Sequence, residues 1–183
     1  MSNLTITRPA LNEYASYYGG YVNIVPDGDI MARLTQQMPA TLTLWRGLSP
    51  EQGDWRYAPE KWSVKELCGH IIDGERVFAY RALRFARGDQ TPLPGFEQDD
   101  FIAHANFAAR SLNDLADEYE AVRRATIALL GSFDDAAWQR SGVASDNAMS
   151  VRAIAYVIAG HELHHLKILR ERYLTEAGAN PGQ

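Results

Sequence analysis

Apolar residues recur at spacings of three and four along four separate stretches of this chain, and nowhere do they alternate convincingly enough to mark a strand. The first stretch, residues 29–48, follows the turn-like Pro26-Asp27-Gly28. It gathers Ile30, Leu34, Thr41, Leu44, Trp45 and Leu48 on one face, with Pro39 expected to kink or interrupt it. The second, 64–87, opens on the clearest start signal in the sequence. Ser63-Val64-Lys65-Glu66 reads as a capping box, Trp62 and Leu67 are placed as a hydrophobic staple, and Gly88 is placed to stop the helix. Its stripe is Val64, Leu67, Cys68, Ile71, Ile72, Phe78, Ala79 and Ala82. The third, 107–133, lines up Leu112, Leu115, Ala116, Tyr119, Val122, Thr126, Leu129, Leu130 and Phe133, and the fourth, 151–173, is capped by Ser150.

Four amphipathic helices without strands predict an all-α four-helix bundle over residues 29–175. Residues 1–28 are expected to form an N-terminal arm, with a tyrosine- and glycine-rich segment that reads as arm or short helix, and 176–183 a frayed tail. Between the second and third stretches, residues 89–106 read as a linker, with Pro92, Pro94 and Gly95 inside it; it is long for a bundle connection, and such connections are often functional. Residues 134–138 read as a short helical turn and 141–147 as a polar loop.

Composition narrows the class. With 183 residues, 46% hydrophobic and 22% charged, the chain has enough apolar mass for a core, which argues against disorder. A net charge of −5 and the lack of any Lys/Arg-rich run argue against a nucleic-acid partner. The single cysteine, Cys68, cannot close an internal disulfide and fits a reducing compartment. It reads as a small core residue. Residues 1–9 lack the basic start and apolar run of a secretory signal, and no stretch approaches the roughly 18 apolar residues of a membrane span. The expectation is a soluble, cytoplasmic domain with no membrane partner.

Three of the five histidines fall in Gly160-His161-Glu162-Leu163-His164-His165. At about 100° per residue, Val151, Ile154, Ile158 and Leu169 define the fourth helix's apolar stripe, and His161 and His165 fall on it one turn apart while His164 lies toward its edge. Two imidazoles at i and i+4 project together about 6 Å apart, the arrangement for two ligands of one metal ion or for two satisfied core histidines. The same letters match the His-Glu-x-x-His of zinc proteases, with Glu162 in the general-base slot. That reading fails on context. Leu166-Lys167-Ile168-Leu169 continues the helix where a glycine turn would be needed, and too little chain follows for another helix to supply a third ligand. A third ligand from the second helix is His70, on the shoulder of its stripe, whereas Glu75 falls near the middle of that apolar face and must be paired, ligated or protonated. His104, beside Asp99 and Asp100 in the linker, reads as a surface residue that could approach a site mouth.

Trp62-Ser63-Val64-Lys65-Glu66 followed by Gly69-His70, then Phe78-Ala79-Tyr80-Arg81, then Ala159-Gly160-His161-Glu162-Leu163-His164-His165, resemble the DinB-like (YfiT-like) four-helix superfamily over most of the chain. The resemblance implies a divalent metal, zinc or nickel first, at the open end of the bundle on His70, His161 and His165. It further implies enzymes that take a low-molecular-weight thiol as cosubstrate for S-transfer, favoured here over metal-dependent hydrolysis; the competing expectation is a non-catalytic metal-binding or dimerisation module. Glu162 and His164 become candidates for supporting or proton-transfer roles. The expected partners are a small-molecule substrate and a second copy of the chain in a homodimer; the sequence adds to the latter only the aromatics Tyr17, Tyr18 and Tyr21, read as exposed.

Overall fold

The computed structural model describes residues 6–175; the start of the expected arm and the expected tail at 176–183 lie outside them. Among the described residues the chain forms α1 (Gly19–Ile24), α2 (Ile30–Arg46), α3 (Pro50–Asp54), α4 (Val64–Ala86), α5 (Gln98–His104), α6 (Leu112–Gly131), α7 (Asp135–Gln139), β1 (Ser141–Ala144), β2 (Asn147–Ser150) and α8 (Val151–Ile168). A π-turn, Leu169–Leu174, extends α8. None of these helices is long and apolar enough to cross a membrane.

The long helices begin where their caps dictate. Ser63 Oγ accepts from the Glu66 amide at 3.2 Å and the Glu66 carboxylate accepts from the Ser63 amide at 2.7 Å; such a cap is worth about 1 kcal/mol. Ser150 caps α8 through the Ala153 amide at 3.1 Å. Gly88, at φ +79, takes the left-handed conformation that ends α4. Pro39 does not interrupt α2: it and Thr35, the residue one turn before it, both stand on the exposed face, where water can take the place of the missing bond.

α2 and α4 each pack against both α6 and α8, so chain-consecutive α2 and α4 lie across the diagonal. Two apolar clusters give the directions. One joins Ile30 and Leu34 of α2 to Phe78, Ala82 and Phe85 of α4, Leu130 of α6 and the first half of α8. The other joins Leu42 and Trp45 to Val64–Ile72 positions of α4, Leu112–Tyr119 positions of α6, and Leu166 and Leu169. Thus α2 and α8 run one way, and α4 and α6 the other. Parallel α4 and α6 require a connection that travels the length of the bundle, which is why residues 87–111 are so long; the linker carries α5 across the flank formed by α4 and α8.

Two readings need correction. The presumed loop at 141–147 is the β1–β2 hairpin, with Ser141 opposite Ser150 and Ala144 opposite Asn147, and Leu93 of the linker pairs in parallel with Ala144. Four-residue strands are too short to display alternation, and the turn residues Ser145 and Asp146, at φ 51 and 61, stand where Asn-Gly would have signalled a hairpin. The described part of the arm is also not free. Ile6, Tyr14, Tyr18, Val22 and Val25 are buried, and α1 lies so close on α8 that a Cβ at Gly160 would sit 2.1 Å from the Tyr21 carbonyl oxygen. Of the three tyrosines read as exposed, only Tyr17 is.

Candidate metal centre

Thr41, Glu75, Arg123 and Glu162, from the four long helices, are all buried and form one polar cluster. The Arg123 guanidinium donates through Nε and Nη2 to the two Glu75 oxygens at 2.8 Å each, through Nη2 to Glu162 at 2.8 Å, and through Nη1 to the Leu34 carbonyl at 3.3 Å. Tyr119 donates to the other Glu162 oxygen at 2.6 Å, and Thr41 donates to it as well. Burial disfavours the Arg123 cation, but the two carboxylates outweigh it and hold its pKa far above the ordinary value. Glu75 is therefore an arginine partner. Glu162 does not face the imidazoles as a proton carrier: its carboxylate is spent on three donors, a consequence of standing next to His161 on a helix where adjacent residues point about 100° apart.

The structure brings His70, His161 and His165 together on the α4–α8 flank beside this polar layer, part-way along the bundle rather than at its end. His161 Nε2 lies 2.9 Å from His70 Nε2 and 3.1 Å from His165 Nε2. His70 is buried, so its shoulder position on the wheel points into the α4–α8 seam. Gly74, one turn beyond it, makes the space for His161: a Cβ there would stand 2.9 Å from His161 Cε1. Aromatic rings fix the orientations, Trp62 against His70 at 4.8 Å and Tyr21 edge-on to His161 at 5.4 Å. His164 is half-buried, packs on Tyr21 and His165, and stays outside the convergence; His104 is exposed and bonds the Asp100 carbonyl of its own helix.

Burial keeps all three imidazoles neutral. It lowers His70 to about 4, against a small opposing pull from Asp99, and His165 to about 2, with His70 and His164 adding to the effect. His161 lies well below the usual histidine range, through burial first and then its three histidine neighbours. Neutral imidazoles whose Nε2 atoms meet at about 3 Å cannot satisfy one another. His161 Nε2 carries either one N–H or one lone pair, so it can pair with one neighbour and leaves the other close contact without a hydrogen bond. Nitrogens held at about 2.1 Å from a common ion have this mutual spacing, so the donor set fits a divalent cation. His165 Nδ1, buried and without a hydrogen-bond partner among the described residues, offers no competing use of that ring.

Two cavities meet the cluster. One of about 310 Å³ reaches His165 past Tyr57, Trp62 and Tyr173; the other, about 260 Å³, reaches His70 and His161 past Tyr17, Tyr21 and Phe78. Gln98 and Asp99 at the start of α5 line both, so the long linker stands over the site.

The sequence pattern of the DinB superfamily matches residues 33–169, which span all four long helices and the three histidines. The chain belongs to the DinB superfamily. Among solved structures it is similar to YfiT from Bacillus subtilis, described as "a probable metal-dependent hydrolase with an unusual four-helix bundle topology", with a TM-score of 0.70, 12% identity, and coverage of 95% of this chain and 99% of that one. At that identity the likeness concerns the fold. No curated protein matches this DinB-superfamily chain in sequence.

Arg123 and the position of Asp99 over both cavities are not marked by the sequence motifs. For Arg123 a signal exists, since it falls at i+4 from Tyr119 and i−3 from Thr126 on an apolar stripe.

Proposed function

We propose that this DinB-superfamily protein is a divalent-metal-dependent enzyme in which His70, His161 and His165 hold the ion, and that it catalyses transfer to or from a small thiol. The observation that carries the metal is the convergence of three buried, neutral Nε2 atoms on one point. Held by these three imidazoles, a zinc or nickel ion would supply Lewis acidity and depress the pKa of a thiol or water. The observation that favours a two-substrate reaction is access from two sides, His165 from one cavity and His70 and His161 from the other. The chain's own residues do the rest. Trp62, Tyr21 and Phe78 hold the imidazoles and keep bulk water from them, while Asp99 at the mouth of both cavities is placed to take up or return a proton.

Hydrolysis is the second reading. It follows the description of YfiT and is compatible with Asp99 as a base for water. The test uses untagged protein loaded with zinc or nickel, a low-molecular-weight thiol and a chromogenic aryl electrophile. The proposal expects metal-dependent consumption of both, lost in His70→Ala. Turnover of an activated ester that ignores added thiol would overturn transfer in favour of hydrolysis, and a chain that binds no metal would overturn both.

A further inference from the structure

We infer that Arg81 is the anchor for a carboxylate on a small, largely apolar ligand whose other end reaches the histidine cluster. Arg81 stands on α4 and is 2% exposed, yet it makes no ion pair among the described residues. Both of its hydrogen bonds leave from Nη2, to the Pro94 carbonyl and to Ser145 Oγ, each at 3.0 Å. Nε and Nη1 make none among the described residues, and the guanidinium lines the 260 Å³ cavity that also contains His70 and His161. A buried guanidinium with unused donors on Nε and Nη1 can give a charge-assisted hydrogen bond to a carboxylate. Arg123, on the neighbouring helix, shows the alternative outcome within the same fold, since its edge is filled by Glu75.

The surroundings define the ligand further. Phe78 lies between the two ends, 5.7 Å from Arg81 Cζ to its ring centre and 6.0 Å from its ring to that of His161. Tyr17, Tyr18 and Phe96 complete an aromatic wall, which suits an apolar or aromatic body. Glu97 and Asp99 also line this cavity, so a singly charged carboxylate is favoured there over a doubly charged phosphate. The fourth wall is Ser145, held in the left-handed region at φ 51 at the tip of the hairpin, with its hydroxyl bonded to Arg81. This inference rests on the metal reading only for what happens at the ligand's far end; the anchoring itself does not require the ion.

The experiment titrates 3-phenylpropionate and its neutral amide, 3-phenylpropionamide, into the full chain, metal-free and zinc-loaded. We expect the acid to bind about 10–100-fold more tightly than the amide in both forms, the scale of a charged hydrogen-bonded contact. Arg81→Gln should erase that preference while leaving zinc affinity unchanged, and Arg81→Lys should retain part of it. Equal binding of acid and amide, binding of neither, or a preference that survives Arg81→Gln would overturn the inference. Should Arg81→Gln fail to fold, the Arg81 Nε–H resonance of the wild-type chain decides: it shifts on saturation with the acid, or the inference falls. A chain that binds no zinc but prefers the acid would sink the metal reading alone.

Discussion

His161 and Glu162 are neighbours on α8, yet the first turns to His70 and His165 and the second to Arg123, Tyr119 and Thr41. Both clusters are buried, and both join α4 to α8. The carboxylate–arginine cluster is closed, because every charged group in it has its partner inside the protein. The imidazole cluster is open. Its three nitrogens face each other without satisfying each other, and cavities reach it from two sides. A polar group that completes itself ties helices together, whereas one left incomplete invites a ligand, so the two clusters should fail in different ways when disturbed.

The largest effect is expected at the closed cluster. Arg123→Met strands two buried carboxylates and should lower unfolding free energy by about 3–5 kcal/mol in urea titration, as breaking buried pairs does. A change below about 1 kcal/mol would show that the cluster is not what ties the helices together. At the open cluster the opposite is expected. His70→Ala, His161→Ala and His165→Ala should each weaken zinc binding by at least roughly 10–100-fold, measured against a competing chelator, with the fold intact. His164→Ala should act moderately and His104→Ala hardly at all. If His70→Ala binds zinc as tightly as the parent chain, the third ligand lies elsewhere.

Glu162→Gln sharpens the boundary between them. It should destabilise the chain by about 1–3 kcal/mol through the weakened bond to Arg123, yet change zinc affinity less than threefold. A large loss of zinc binding would merge the two clusters into one site.

The last prediction concerns acid. An unfolded histidine titrates near 6.5, while His70 and His165 are held at about 4 and about 2. Between these values the unfolded chain binds more protons than the folded one, so their contribution is fully present above pH 6.5 and is lost as pH falls through about 4 toward 2. The melting temperature of the metal-free chain should therefore fall from pH 7 to pH 4, and less steeply in His70→Ala; parallel curves would show that the imidazoles are not held neutral by burial.

Much of this was readable along the chain, and the physical reasons for success and failure differ by residue. The capping box at Ser63, the Ser150 cap and the stripes of α4 and α8 are local patterns, so α4 starts at Val64 and α8 at Val151 as their sequences dictate. His161 and His165 share a face because a helix turns about 100° per residue. These facts need no knowledge of what lies opposite. The β1–β2 hairpin, α5 and the burial of Tyr18 and Val22 were not readable, because short elements take their stability from the surface they pack against.

The sequence by itself determined four amphipathic helices, their start points and a pair of imidazoles one turn apart, all consequences of spacing within a single helix. Only the tertiary structure decided that α4 and α8 lie side by side, so that His70 closes the triad across Gly74. It also decided that Arg123 reaches Glu75 and Glu162, so that the Glu162 carboxylate accepts from Arg123, Tyr119 and Thr41, and that the linker brings Asp99 over the cluster while Arg81 Nε and Nη1 stay unused among the described residues. A wheel shows which way a side chain points from its own helix; what waits there depends on helix order and direction, which no single segment encodes.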